Sequence, residues 1–283
     1  MATPVPGPGT LSTPPGWALA RVPGLAHGAS AQRIERLGGG TVNEVYRVDT
    51  AAGRFVLRLD GAAWRRPGVD RARELLLHRA AAAGGLAPAL LDAAPEAQGL
   101  LIMQYLEGRL WSAADYARRD ALWRLGERLY ALHTLAVPAV AVFDPWQVAL
   151  AYERQIDARP GAAAMPAEAR AATLRRLQHA CSELRLGTDA SSVVHGDLWQ
   201  GNLLQGARLW LLDWEYAQVS DPLMDLACVL AYYPAAERYL GELAAAAGVG
   251  ARARGESLAL RVFIYRALAW LWHLARGEAA EPP

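Results

Sequence analysis

The apolar pattern of this chain changes its period near residue 107, and no single residue constrains the fold as much as that change. Before it, short runs with alternating or β-branched residues cover 33–37, 44–49 and 54–60, separated by Gly38-Gly39-Gly40 and by Thr50-Ala51-Ala52-Gly53. They read as a first strand followed by two hairpin-linked antiparallel strands. Residues 69–83 read as a helix, with Leu75, Leu76 and Leu77 inside it and Gly84-Gly85 ending it. The apolar run at 100–106 reads as a strand buried on both faces. After Glu107-Gly108, Leu122, Leu125, Leu129 and Leu132 recur at spacings of three and four, the stripe of an amphipathic helix. Further helices are predicted at about 145–157, 167–186, 222–232, 235–247 and 256–276, with Asp221 as an N-cap and Pro222 at the first helical position. Short strands are predicted at 192–195, 203–204 and 209–212. The pattern predicts an α+β chain in three parts. A flexible leader occupies 1–31, where residues 1–23 hold six of the 17 prolines. A small β-rich lobe follows at 32–107, then a helical lobe at 108–283.

Composition narrows the chemistry. All 29 basic residues are arginine, so any reaction that needs a titrating lysine, such as a Schiff base, is excluded. Against 28 acidic residues they leave a net charge of +1, which favours neither a nucleic-acid groove nor a polybasic membrane face. The two cysteines, Cys181 and Cys228, form no C-x-x-C, so neither a disulfide scaffold nor a cysteine zinc site is supported. No apolar run reaches the roughly 18 residues of a membrane span, and the first residues lack the order of a signal peptide. A soluble, cytoplasmic protein is the expectation.

The segment with the most chemistry is His195-Gly-Asp-Leu-Trp-Gln-Gly-Asn202, followed after a short hairpin by Leu211-Leu212-Asp213-Trp214-Glu215. Phosphoryl transfer from a nucleotide needs a carboxylate to orient the acceptor hydroxyl, oxygen ligands for magnesium, and cations for the phosphates. Asp197 suits the first role, and Asn202 and Asp213 the second. The order H-x-D-x-x-x-x-N…D is that of a kinase catalytic loop and metal loop. Singly, such residues also cap turns.

These motifs resemble those of the aminoglycoside phosphotransferase and choline kinase group, over most of residues 32–276. The resemblance implies a bilobal protein-kinase-like fold that binds ATP and Mg²⁺ between its lobes. Leu211–Ala217 and Asp221–Ala227, which carry Asp213-Trp-Glu-Tyr and Asp221-Pro-Leu-Met-Asp225, look most like thiamine kinases and choline kinases. Gly38-Gly39-Gly40-Thr41-Val42-Asn43 is similar to their phosphate loop, which implies nucleotide contacts from Gly39, Gly40 and Asn43. The run at 54–59 is similar to their third strand, with Arg58 on the phosphates and Glu74 holding it. Backbone groups near Gln104, Tyr105 and Leu106 would meet the adenine edge. His195 would order the catalytic loop rather than act as base, and Asp225 would bond that loop's backbone.

The expected reaction is transfer of the γ-phosphoryl group to a hydroxyl of a small cationic alcohol, with thiamine favoured. Aromatic faces beside a carboxylate attract such cations. Trp214, Glu215, Tyr216, Trp270 and Trp272, with Tyr265 one turn earlier, are the candidates for that contact, although Trp270 and Trp272 also suit a helical core. Alternatives are a choline or ethanolamine kinase, a phosphotransferase for amino sugars, fructosamines or aminoglycosides, and a non-catalytic nucleotide-binding protein. The five glutamates and no aspartate after Asp225 disfavour a polycationic aminoglycoside.

Overall fold

A computed structural model of the protein describes residues 13–25, 30–38, 43–61, 67–95, 99–136, 138–159, 167–186, 192–253 and 255–283. The chain divides into two compact units, Met1–Gly108 and Arg109–Pro283.

The smaller unit is built on one antiparallel sheet of five strands: β1 (Arg33–Arg36), β2 (Asn43–Thr50), β3 (Gly53–Asp60), β4 (Leu90–Ala94) and β5 (Leu100–Gln104), in the order β1-β2-β3-β5-β4. β2 and β3 pair without a break from Asn43↔Asp60 to Thr50↔Gly53. Because strand side chains alternate, Phe55, Leu57 and Leu59 share one face of β3. They pack there with Tyr46, Val48, Leu100 and Ile102. The opposite face carries Arg58, which meets the helix α2 (Arg71–Ala83) through Glu74. Asp70 starts α2 by accepting from the amides of Ala72 and Arg73.

Two expectations change here. The leader was expected to be flexible, yet over 13–25 it belongs to the core of this unit. The short helix α1 (Gly16–Leu19) and the turns after it bury Ala18, Val22 and Leu25 against the face of Leu57 and Leu59. Arg21 holds Asp92 with two bonds of 2.7 and 2.8 Å, and Thr50 Oγ1 donates to the Pro23 carbonyl at 2.8 Å. Proline-rich composition masked an apolar spacing of four and three at 18, 22 and 25. The second change is β4, which the sequence reading missed. Its Leu-Leu-Asp-Ala-Ala string favours helix by propensity, and its register shifts between Leu90 and Asp92. β5 stops at Gln104, and only Leu100, Leu101 and Ile102 are buried.

The larger unit holds α3 (Arg119–His133), α4 (Pro145–Asp157), α5 (Ala167–Glu183), α6 (Leu223–Tyr232), α7 (Leu240–Ala246) and α8 (Glu256–Arg276). Between them run short strands. β6 (Arg109–Leu110), β8 (Leu203–Gln205) and β9 (Leu209–Leu211) form one sheet, and β7 (Ser192–Val194) pairs with β10 (Gln218–Ser220). Leu122, Leu125, Leu129 and Leu132 of α3 are fully buried, as their spacing requires. Gly126 lies on the same stripe, where a Cβ would come within 2.6 Å of the Leu243 carbonyl in α7, so glycine lets the two helices touch. The helix expected at 235–247 is a 3-10 turn over Pro234–Tyr239 followed by α7.

α8 alters the membrane expectation: by length and composition it could cross a bilayer. Half of its most apolar window is buried, and Phe263, Ile264, Ala267, Trp270, Leu271 and Leu274 pack with Ala149, Tyr152 and Ile156 of α4 and Leu177 of α5. It is the central helix of this core.

Candidate active site

The loop 195–202 leaves β7 through Gly196, whose φ is +74° and where a Cβ would lie 2.7 Å from the Tyr216 carbonyl oxygen, so only glycine fits. Asp225, in the first turn of α6 and fully buried, anchors this entry. Its carboxylate accepts from the His195 amide at 3.1 Å and the Gly196 amide at 2.9 Å, and meets His133 Nε2 at 2.9 Å. His195 spends both ring nitrogens internally. Nδ1 accepts from the Asp197 amide at 3.3 Å and Nε2 donates to the Leu212 carbonyl at 2.9 Å. That fixes the neutral Nε2–H tautomer and gives the ring a bridging position between two loops.

Asp197 is half-buried. Its Oδ2 accepts from Asn202 Nδ2 at 2.8 Å, and the same nitrogen donates to the Asp197 carbonyl at 2.9 Å. With the nitrogen of Asn202 so committed, its carbonyl oxygen is the atom suited to a cation. The Asn202 main-chain carbonyl accepts from the Leu212 amide at 2.8 Å, and the β8–β9 hairpin pairs Leu203 with Leu211. Leu212 is thus tied to Asn202 by its N–H and to His195 by its carbonyl, and Asp213 follows directly. Asp213 has a φ of +57°, a left-handed conformation that costs a non-glycine residue about 1–3 kcal/mol. One amide oxygen and one carboxylate fit magnesium, which takes its remaining ligands from phosphates and water. Among the described residues no group of three or more His, Cys, Asp or Glu could hold a metal alone.

Tyrosines hold the outer side of the loop, and the sequence reading missed most of them. Tyr116 donates to the Leu198 carbonyl at 2.6 Å, Tyr265 donates to the Gly196 carbonyl at 3.0 Å, and Tyr233 accepts from the Gln200 amide at 2.8 Å. Cys228 Sγ accepts from the Leu198 amide at 3.1 Å. Tyr232 donates to Asp197 Oδ1 at 2.9 Å. Burial pushes the Tyr232 and Tyr265 hydroxyls well above the usual phenol range, with the Asp197 charge adding to the effect, so both stay protonated donors. A signal existed. Asp225, Cys228 and Tyr232 are spaced three and four apart on α6, so they share one helix face.

The smaller unit has its own polar cluster. Arg58, 4 % exposed, places Nη2 2.6 Å from Glu74 Oε1, an ion pair by distance without hydrogen-bond alignment. Arg71 joins it, with Nη1 2.5 Å from Glu74 Oε2 and Nε 2.9 Å from Asp60 Oδ2. Burial raises the Asp60 pKa, opposed by Arg71 and Arg58. Asn43 begins β2 and is buried. Gly39 and Gly40 lie outside the described residues. At the end of β5 the Gln104 amide donates to the Ala89 carbonyl and the Tyr105 amide to the Arg54 carbonyl. These two amides are used within the unit, so the backbone groups that could meet an adenine edge here are the carbonyls and the amide of Leu106. The Tyr105 ring lies under Arg47 at 4.5 Å and Arg54 at 5.6 Å.

The family model described as the phosphotransferase enzyme family matches residues 33–258, which span both the Arg58 cluster and the Asp197 loop. The chain belongs to that family. Among solved structures, this phosphotransferase is similar to a choline/ethanolamine kinase family protein from Mesorhizobium loti. The TM-score is 0.69 at 27 % identity, covering 92 % of this chain and 83 % of the other. It is also similar to choline kinase LicA from Streptococcus pneumoniae, with a TM-score of 0.67 at 21 % identity over 89 % of this chain and 88 % of the other. A third is an aminoglycoside phosphotransferase in complex with ADP and hygromycin B, with a TM-score of 0.57 at 16 % identity over 89 % and 96 %. A search of curated protein sequences returned no match. The activity of the chain is phosphoryl transfer to a small molecule, and its α+β architecture is the protein-kinase-like fold of this family.

The residues expected to face the acceptor take these places in the phosphotransferase. Trp214 is fully buried, donates Nε1–H to the Leu211 carbonyl at 3.1 Å and meets the His195 ring edge-on at 4.9 Å. It backs the loop. Glu215 is buried and Tyr216 half-buried. Trp270 is 3 % exposed and bonded to the Ala280 carbonyl, so it fills the core of α8. Trp272 packs on the same core with Arg276 over its ring at 4.6 Å. A stripe of large apolar residues on a central helix is consumed by packing. The aromatics that reach Asp197 are instead Tyr232 and, edge-on to it at 5.6 Å, Tyr265.

Proposed function

We propose that this phosphotransferase uses ATP and magnesium to phosphorylate the hydroxyl of a small cationic alcohol, of the kind that thiamine, choline and ethanolamine present. The observation that carries this reading is the carboxylate of Asp197, whose Oδ2 is fixed by Asn202 and whose Oδ1 receives a hydroxyl donor. In the reaction an acceptor hydroxyl donates to Asp197, its oxygen bonds to the γ-phosphorus, and ADP leaves as the proton passes to the carboxylate. Asn202 and Asp213 would hold magnesium, which supplies charge neutralisation at the phosphates. Arg58, oriented by Glu74, would add a fixed cation, and Gly39, Gly40, Asn43 and the amide of Leu106 would contact the nucleotide. LicA has been solved with AMP, which supports an adenine nucleotide as donor. Aromatic rings at Tyr232 and Tyr265 support a cationic acceptor. Trp272 and Tyr216 remain candidates for more distant contacts with it.

The test is ADP release from ATP·Mg²⁺ across thiamine, choline, ethanolamine, amino sugars and fructosamines, with nucleotide affinity measured in the Asp213→Ala variant. Turnover is expected with a cationic alcohol, and weaker magnesium-dependent ATP binding in the variant. Turnover with neither thiamine, choline nor ethanolamine, or unchanged affinity in Asp213→Ala, would contradict the reading.

A further inference from the structure

Tyr232 presents an unusual combination. The residue is 42 % exposed at the end of α6, yet its hydroxyl turns inward onto Asp197 Oδ1 at 2.9 Å. Asp197 Oδ2 is held by Asn202, so Oδ1 is the oxygen to which an arriving hydroxyl can donate. A phenol hydroxyl and an alcohol hydroxyl are the same kind of donor, and both compete for this atom.

We propose that Tyr232 is a place-holder: its hydroxyl occupies the position of the acceptor's hydroxyl and keeps water from being oriented there when no acceptor is bound. The proposal rests on the reading of Asp197 as the group that orients the acceptor. The Tyr232 hydroxyl also meets the Tyr265 side chain, a second polar partner beside Asp197. The Tyr232 ring touches Tyr265 edge-on at 5.6 Å and Tyr233 at 6.1 Å, without the close stacking of Tyr116 on Tyr233 at 3.7 Å. An incoming alcohol takes the Oδ1 bond, and the phenol hydroxyl gives it up while the ring stays beside Tyr265. Water, which gains far less from the surrounding aromatic rings than an organic cation, does not displace it as readily.

Without the phenol hydroxyl, water could enter. Its oxygen would then bond to the γ-phosphorus as the bond to the β–γ bridging oxygen breaks. Asp197 would take the water's proton, and ADP and inorganic phosphate would leave. Tyr232 would thus be a positioning residue that couples ATP use to the presence of acceptor.

The experiment is ADP release from ATP·Mg²⁺ with no added alcohol, in the wild type, in Tyr232→Phe and in the double variant Tyr232→Phe/Asp197→Asn. Tyr232→Phe keeps the ring and its contacts, and a thermal midpoint within about 2 °C of the wild type reports an intact fold. Acceptor-free hydrolysis is expected to rise about fivefold or more in Tyr232→Phe, the ratio that one net hydrogen bond corresponds to. The double variant should lose that gain. A merely structural tyrosine would lower every activity and raise none. Hydrolysis at the wild-type level in a folded Tyr232→Phe overturns the proposal, as does a gain that survives loss of Asp197. Should Tyr232→Phe fail to fold, Tyr232→Leu, which carries no donor, must show hydrolysis above wild type for the proposal to stand. If instead single Asp197→Asn phosphorylates an alcohol at the wild-type rate, the underlying reading of Asp197 fails, which is a separate result.

Discussion

Asp225 shows how one buried carboxylate can set the geometry of a loop, 195–202, that it does not itself belong to. It receives two consecutive amides, of His195 and Gly196, and the imidazole of His133. The chain can therefore turn at Gly196 and deliver Asp197 at a fixed angle. Removing the carboxylate would strand two buried N–H groups, each costing about 1–3 kcal/mol. Asp225→Ala is expected to lower the thermal midpoint by several degrees, on a scale of about 2–4 °C per kcal/mol for a chain of this size. Asp225→Asn, which keeps an acceptor oxygen, should fall less. Midpoints of both variants equal to the wild type, by circular dichroism or calorimetry, would contradict the anchoring role. This residue was legible in the sequence through its place in the Asp221-Pro-Leu-Met-Asp225 string. The tyrosines were not, because a hydroxyl's partner depends on which loop a helix face meets, and periodicity reports only the face.

Elements differ in how far their chemistry could be read. α2 was legible as a helix from its leucines and its terminal glycines, and Glu74 lies in its first turn. Its pH behaviour was not. His78, on the same helix, is buried with Nε2 bonded to the Pro88 carbonyl at 2.9 Å. Burial lowers its pKa below the ordinary imidazole value, partly offset by that bond. Below about pH 6.5 the unfolded chain therefore binds a proton that the folded chain refuses. Stability is full above that pH and falls as pH drops, by at most about 1.4 kcal/mol per pH unit from this group. Denaturant unfolding at pH 7.5 and 5.5 should show the loss in the wild type and a smaller loss in His78→Gln. Equal losses in both would contradict it. α8 is the opposite case. Its tryptophans suggested a binding face, but Trp270 is buried in the core that α8 shares with α4 and α5, and Trp272 packs against that core. β4 and β6 were missed because strands of five and two residues carry too few alternations to register a period.

At the scale of the molecule, the period change near residue 107 corresponds to the division at Gly108 between a sheet-based unit and a helical one. What it could not convey is how the N-terminal segment is used, since 16–25 closes the core of the first unit from a stretch that reads as linker. The absence of lysine also has a consequence at this scale. The cation beside Glu74 is Arg58, which cannot lose its charge, and Arg71 supplies a second guanidinium to the same carboxylate. The acidic chemistry gathers on the loops 195–202 and 211–215, where Leu212 ties the stem of Asp213 to Asn202 and His195, and Asn202 holds Asp197. The most direct test of that arrangement is phosphoryl transfer by Asp197→Asn, measured with the acceptor that supports turnover in the wild type and alongside nucleotide affinity. Turnover is expected to fall about 10²–10⁴-fold, the range for loss of a general base, while ATP binds as before. Wild-type turnover in a variant that still binds ATP would mean that the carboxylate at 197 does not receive the acceptor's proton.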